Sequence, residues 1–545
     1  MRLIERRVGL LFALFLCLLL MAAGRATWLA TVRADSLRAH ARSQQVQQVT
    51  VSARRGTITD RHGVELAVSE VSATVYANPF LIRNPGAAAA RIAPVLGLPE
   101  DVLRRELSAR SGFTYLARKA DAARGETIRR MKIEGIGVQP EPKRVYPQGA
   151  LASQLIGSVG TDDYGLAGLE QSYERTLHGR DGQRQVVKDA LGEAVSLVEK
   201  RRAEPGRDLR LTIDAPIQER AEAVLADVGA AFAPKGATAV VLDPRSGELL
   251  ALANWPKVQP DNFGNASAYA RQDRAVSANY EPGSTFKAFT VAGAMEERLL
   301  RPETTFDLPP TIQVADREIK ESHDRGPETL SVADILAQSS NVGSVMIGLK
   351  LGAARFDRWV RRFGFGSGTG VDVPGEAAGI VPRPKDYSGS SLGNLPIGQG
   401  IAVTPMQMAS AYQAIANGGV VHTPHVVAGP PPPGRRVISA DTARRVSTML
   451  EGVLGPGGTA QEASIPGYRL AGKTGTAEKA DPAGGYSKTK FVSSFIGYAP
   501  ARNPRLLVAV IVDEPKGEIY GGLVAAPAFE KIVSFALSYL RIPPD

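Results

Sequence analysis

Apolar and polar positions divide the 545-residue chain into three stretches of different character. Residues 8–24 run for 17 positions without a charge, at the short end for a helix that crosses a bilayer. From residue 35 to about 205, short β-like runs alternate with polar turns and no helical period is sustained. From residue 209 onward the pattern becomes regular. A strand-like run at 209–213 leads into a helix at 216–228. Runs at 237–242 and 248–254 read as a hairpin, with Pro244 and Gly247 between them as turn formers. A helix-rich stretch follows over 284–417. Its first helix, 284–298, is punctuated by Pro282 and Gly283 and carries Phe286, Phe289, Ala292 and Met295 at helical spacing. Residues 430–433 are all proline and predict an extended, exposed segment. Strands at 469–478, 491–498 and 506–512 precede a closing helix at 525–539, with Phe529, Ile532, Val533 and Ala536 on its apolar side. Two early strands, three late ones and helices between them predict an α+β fold, an antiparallel sheet flanked by helices. No repeat appears at the periods that mark solenoids.

Composition changes this picture little. With 43% hydrophobic residues the chain can bury more than one core, so at least two domains are expected. The formal charge of +10 comes from scattered basic residues with no nucleic-acid motif beside them, so attraction to anionic envelope polymers or lipid headgroups is expected and a nucleic-acid partner is not. The single cysteine, Cys17, lies in the apolar run and excludes an intramolecular disulfide. Arg2, Arg6 and Arg7 precede that run, which keeps the N-terminus cytoplasmic and sends the rest across the membrane, with Trp28 as an interfacial anchor. A cleaved signal peptide is the competing reading, with Ala22, Ala23, Gly24 and Ala26 as the small residues and Arg25 interrupting the pattern.

Three short motifs carry the candidate chemistry: Ser284-Thr285-Phe286-Lys287, Ser339-Ser340-Asn341, and Lys473-Thr474-Gly475 followed by Thr476. A serine hydroxyl is a weak nucleophile until an adjacent base takes its proton, and a lysine three residues on shares its helix face. Ser284 at a helix start also sits where unpaired N–H groups favour developing negative charge. Ser-x-x-Lys alone is weak evidence, since Ser487-Lys488-Thr489-Lys490 matches it too, in a stretch that reads as an exposed loop. Ser340 and Asn341 as plain helix caps are the bland alternative for the second motif.

The combination resembles the penicillin-binding proteins and serine β-lactamases. Glu281-Pro282-Gly283-Ser284, Gly398-Gln399-Gly400 and Val403-Thr404-Pro405 narrow the resemblance to the class B penicillin-binding proteins, the monofunctional peptidoglycan transpeptidases. Arg55 to Gly63, Arg144-Val145-Tyr146-Pro147 and Gly165 to Glu170 are similar to the pedestal motifs of that class, and the whole is most like the septal, cell-division type. The resemblance implies a cytoplasmic tail (1–7), a transmembrane helix (8–24), a non-catalytic, elongated pedestal or dimerisation-type domain (25–205) and a transpeptidase domain with a five-stranded antiparallel sheet (206–545). It implies that Ser284 attacks a D-Ala-D-Ala stem peptide, Lys287 takes its proton, Ser339 and Lys473 relay a proton to the leaving amine, and Asn341 holds the substrate backbone. Thr474, Gly475 and Thr476 would bind substrate, with N–H groups of Ser284 and Thr476 as the oxyanion hole. Expected partners are peptidoglycan stem peptides, β-lactam antibiotics, the bilayer on whose outer, periplasmic side the catalytic domain stands, a multi-spanning glycan polymerase and other divisome proteins; no cofactor or metal is expected. An elongation-type transpeptidase, a D,D-carboxypeptidase, a β-lactamase and a non-catalytic scaffold or sensor remain as alternatives. Asp372 and Glu376 lie in the stretch where a deacylating carboxylate could stand, though nothing in their spacing supports the role. Only seven residues precede position 8, which speaks against a sensor with a signalling domain.

Overall fold

The computed structural model describes residues 2–33, 46–188, 194–481 and 484–544. Parts of the expected tail and pedestal, Met1, 34–45 and 189–193, therefore lie outside the described residues, as does Asp545. The chain forms two compact units. One comprises Met1–Arg55, Val71–Pro142 and His178–Gly206, the other Gly56–Glu70, Lys143–Leu177 and Arg207–Asp545.

In the first unit, helix α1 (Arg2–Thr31) is longer than its uncharged run predicted, because Arg25 and Trp28 continue the helix instead of ending it. None of the described residues in the apolar stretch Arg6–Thr31 is buried, and its 26 residues suffice to cross a bilayer. The guanidinium groups of Arg25 and Arg33 stack on the Trp28 ring at 5.1 and 4.8 Å. Farther along, the strands Val46–Val51, Gly182–Lys188 and Ala194–Arg201 pair antiparallel. A separate core gathers Val75, Ala89, Ile92, Leu103, Leu107 and Ile128.

The second unit is built on helix α2 (Ala215–Phe232), strands β1 (Gly236–Leu242) and β2 (Leu249–Trp255), helices α3 (Lys287–Glu296), α4 (Asn341–Leu351) and α5 (Pro405–Ala416), strands β3 (Ala471–Ala480), β4 (Tyr486–Ala499) and β5 (Leu506–Asp513), and helix α6 (Ala526–Tyr539). The strands form one antiparallel sheet in the order β2-β1-β5-β4-β3. β1 and β5 are central and buried at nearly every position, which is why their sequences, GATAVVL and LLVAVIVD, do not alternate. β3 is an edge strand, and its free edge is where the third motif stands.

Helix starts follow local chemistry. Asp214 caps α2 with Pro216 in its first turn, and Thr404 and Gln407 form a capping box on α5 with Pro405 at its first position. The stretch 284–417 also contains two small antiparallel strand pairs, Thr305–Leu308 with Glu328–Ser331 and Thr311–Val314 with Arg317–Lys320, which its helical periodicity hid. The three motifs resembling pedestal signatures converge on a buried ion pair: Arg144 Nε donates to Glu170 Oε1 at 2.6 Å and Arg144 Nη1 to Gly56 O at 2.8 Å.

Candidate active site

Ser284 does not begin an α-helix. Residues Gly283–Phe286 form a 3₁₀ turn that runs into α3 at Lys287, because Gly283 takes a positive φ of 54° and its N–H donates to Gly398 O at 3.1 Å. Residues three apart share a side of a 3₁₀ turn, so the turn directs Ser284 and Lys287 the same way. The turn is clamped from below. Tyr412 donates its hydroxyl to Thr285 O at 2.7 Å, and Phe286 packs against Phe289 and Phe365 at centroid distances of 5.4 and 5.1 Å. Gly398 is required by proximity, since a Cβ there would lie 2.2 Å from Gly283 O.

Lys287 is fully buried, and its Nζ donates to Ser339 O at 2.7 Å, to Asn341 Oδ1 at 2.7 Å and to Ser339 Oγ at 3.3 Å. Burial lowers its ammonium to about 7, against a smaller upward pull from the Glu321 carboxylate. Ser339 offers its carbonyl inward from a positive φ of 62°, a conformation non-glycine residues rarely hold. Ser340 caps α4 through Gly343 N, so the bland reading of this residue as a helix cap is correct.

Glu321, which no pattern in the sequence pointed to, organises this side of the site. Its carboxylate accepts from Ser340 Oγ at 2.5 Å, Asn341 N at 2.7 Å and Val342 N at 3.2 Å, placing an anion on the positive end of α4. Asn341 Nδ2 donates to Lys320 O at 2.9 Å, which leaves its Oδ1 aimed at Lys287.

The third motif closes the opposite wall. Lys473 is fully buried, donates to Thr474 O and Oγ1 at 3.3 Å each, and is pushed well below the ordinary lysine range by burial and then by the Lys287 charge. That electrostatic coupling places the two lysines in one site. Thr474 Oγ1 also meets Thr459 Oγ1 at 2.6 Å, and Thr476 Oγ1 accepts from Gly521 N at 3.0 Å. At Gly475 a Cβ would lie 2.5 Å from Ser494 Oγ and 3.0 Å from Pro282 O, so only glycine lets β3 dock against the nucleophile turn.

The second Ser-x-x-Lys match is not a loop: Ser487 lies at the start of β4, buried, with its Oγ accepting from Thr489 N and Lys490 N. Polar residues alternating on an edge-side strand end gave the sequence its loop-like look. Glu376 is consumed by Thr369 N at 2.6 Å, Thr369 Oγ1 at 2.5 Å and Gly370 N at 3.2 Å, and Asp372 by Val426 N and Val427 N. Both carboxylates hold loops. Glu281, three residues before Ser284, accepts from Gly400 N at 3.0 Å and Tyr486 Oη at 3.2 Å. Beside the cluster, residues 278–281, 400–402 and 477–480 wall a cavity of about 530 Å³ that none of the five candidate catalytic side chains lines.

Comparison with known proteins agrees with this geometry. The family model described as penicillin binding protein transpeptidase domain matches residues 237–534, and that of the penicillin-binding protein dimerisation domain matches residues 50–211. The chain is 33% identical to the peptidoglycan D,D-transpeptidase FtsI of Escherichia coli over 553 residues, covering 99% of this chain and 93% of the relative. It is 34% identical to the probable peptidoglycan D,D-transpeptidase PenA of Neisseria gonorrhoeae, covering 97% and 91%. Among solved structures, penicillin binding protein 3 of Mycobacterium tuberculosis complexed with ampicillin superposes with a TM-score of 0.72 at 29% identity, covering 91% of this chain and 97% of that one.

Proposed function

The chain belongs to the class B penicillin-binding proteins, and from that premise we propose that it is a serine peptidoglycan D,D-transpeptidase that cross-links stem peptides, at the division septum, and is acylated by β-lactams. The observation that carries the reading is a fully buried Lys287, three residues after Ser284, lowered to about 7 with its ammonium tied to the Ser339–Asn341 segment. A lysine in that state is a base at neutral pH.

Ser284 Oγ attacks the carbonyl carbon of the penultimate D-alanine as its proton passes to Lys287 Nζ. The charge that develops on the carbonyl oxygen is met by the N–H groups of Ser284 and Thr476, where losing one donor typically costs about 2.7–4 kcal/mol. The C–N bond then breaks, and a proton relayed through Ser339 and Lys473 leaves with the terminal D-alanine. The acyl-enzyme is resolved by an amine of a second stem peptide, whose proton returns to the serine as the ester breaks. Burial and the Lys287 charge lower Lys473, and a substrate carboxylate arriving beside Thr474 and Thr476 would raise it again, because an opposite charge favours the ammonium. As an edge strand, β3 offers its open row of backbone groups to an extended substrate.

Residues 8–24 within α1 anchor the protein with its N-terminus in the cytoplasm, residues 25–205 serve as the pedestal, and residues 206–545 act on the wall from the outer side. A multi-spanning glycan polymerase and other divisome proteins are the partners this arrangement calls for. With the full chain in detergent, a pentapeptide ending in D-Ala-D-Ala and an amine acceptor, mass spectrometry should find the cross-linked amide and free D-alanine. Hydrolysed tetrapeptide alone would make the protein a carboxypeptidase, and no product with either would favour a scaffold.

Glu321 supplies a separate check. Replacing it with glutamine removes the anion that raises Lys287, so the midpoint of the acylation pH profile moves to lower pH. The same change weakens the start of α4 and lowers unfolding stability by about 1–2 kcal/mol. Stopped-flow acylation across pH, beside urea unfolding, reads both; a midpoint moved upward would contradict the assignment of Lys287 as base.

A further inference from the structure

Thr474 and Thr476, two apart on β3, share a face of the strand, and each hydroxyl meets a group from elsewhere in the chain. The two contacts differ in polarity. Thr476 Oγ1 accepts from Gly521 N at 3.0 Å, and because a backbone N–H can only donate, the Thr476 proton stays free for another acceptor. Thr474 Oγ1 accepts from Lys473 Nζ at 3.3 Å and meets Thr459 Oγ1 at 2.6 Å, where either hydroxyl can donate. If Thr474 spends its proton on Thr459, it has none to give to an anion. If Thr459 donates, both lone pairs of Thr474 are taken and its proton is free.

The Thr459 backbone is fixed from both sides. Gly458 N donates to Gly455 O at 3.0 Å and Ala460 N to Val453 O at 2.9 Å, with the Ala460 side chain buried. At Gly522 a Cβ would fall 2.2 Å from Thr459 O, so this loop packs on the same segment whose Gly521 holds Thr476. The Thr459 residue is exposed while Thr474 is buried, so Thr459 is not part of the core. An exposed hydroxyl brought to a buried one by an anchored backbone acts on that buried hydroxyl.

We infer that Thr459 is a positioning residue for the reaction: its hydroxyl donates to Thr474 Oγ1 and so frees the Thr474 proton for the carboxylate of the incoming substrate. The inference rests on the reading that Thr474 and Thr476 receive that carboxylate. A hydrogen bond to an ionised group is roughly twice as strong as one to a neutral group, so removing the Thr459 hydroxyl costs most with an anionic substrate. Because Thr459 acts through Thr474, its effect disappears once Thr474 has lost its own hydroxyl.

The test is acylation of the full chain in detergent by benzylpenicillin, which carries a carboxylate, and by its methyl ester, which does not, followed by intact-mass kinetics. Thr459→Val, which keeps the shape and drops the hydroxyl, should lower the acid-to-ester rate ratio by about three- to tenfold, the difference between a charged and a neutral hydrogen bond. Thr459→Ser should restore the parent ratio. Thr474→Val should lower the ratio at least as far, and adding Thr459→Val to it should take it no further. Matching thermal midpoints establish that the variants fold. A ratio that Thr459→Val leaves unmoved, including the case in which both rates fall together through loop packing, would overturn the positioning role, as would effects of the two threonines that add. A ratio that Thr474→Val leaves unmoved would overturn the carboxylate reading along with it. No adduct in the parent would overturn both together with the nucleophile.

Discussion

Replacing Ser284 with alanine yields a folded protein that no longer forms a covalent adduct with penicillin. The fold survives because Ser284 Oγ has no hydrogen-bond partner among the described residues, while the turn it sits on is held by other groups. Thr285 Oγ1 donates to Pro282 O at 2.7 Å, Tyr412 Oη reaches Thr285 O, and Phe286 is fully buried in an aromatic cluster. Losing one half-buried oxygen there should change stability by no more than about 0.5 kcal/mol. The chemistry does not survive, because the other hydroxyl of this turn, Thr285, is buried and bonded to Pro282 O. Single knockouts in a nucleophile–base unit cost on the order of 10⁶ in rate, and removing both members costs little more. Lys287→Ala should therefore match Ser284→Ala, and the double variant should be no worse than either. Intact-mass analysis of the three proteins with excess penicillin gives the answer, and persistent labelling of the Ser284→Ala protein would remove this serine from the mechanism.

What the sequence disclosed and what it hid have different physical origins. Ser284 and Lys287 were legible as candidates because acyl transfer restricts residue type and helical spacing puts them on one face, and Ser339, Asn341 and Lys473 because the three motifs in this order resemble the penicillin-binding proteins. The strands β1 and β5 were legible because burial on both faces leaves an unbroken apolar run. Glu321 was invisible, since its role depends on a hairpin that brings Lys320 and Glu321 to the start of α4, and a lone carboxylate after a short strand carries no period. The 3₁₀ turn at Ser284 was hidden for a related reason: it is imposed by Gly398, more than a hundred residues away, through its contact with Gly283. Ser487 misled in the other direction, because a strand end with exposed neighbours looks like a loop when only composition is read. Charge, too, was silent about Lys473, whose sequence neighbours give no hint that burial and Lys287 would push it well below the ordinary lysine range.

The acylation rate should rise with pH, tenfold per unit, up to a midpoint near 7 and level off above it. Below that pH Lys287 holds its proton and cannot accept another from Ser284; above it the neutral amine is available. The same displacement acts on stability. In the unfolded chain a lysine titrates near 10.4, so between about 7 and 10.4 the unfolded state binds a proton that the folded state does not. Folding stability therefore increases with pH across that window, and the cost of burying the amine is largest at and below its lower edge. Relative to Lys287→Met, which has no proton to bind, the parent should gain about 2 kcal/mol between roughly pH 7 and 9. Urea unfolding of both proteins at the two pH values measures that difference. A gain of this sign, together with an acylation profile rising through the same pH, would tie the instability of Lys287 in its buried place to its work as a base. An acylation profile falling through neutral pH would assign the proton acceptor elsewhere.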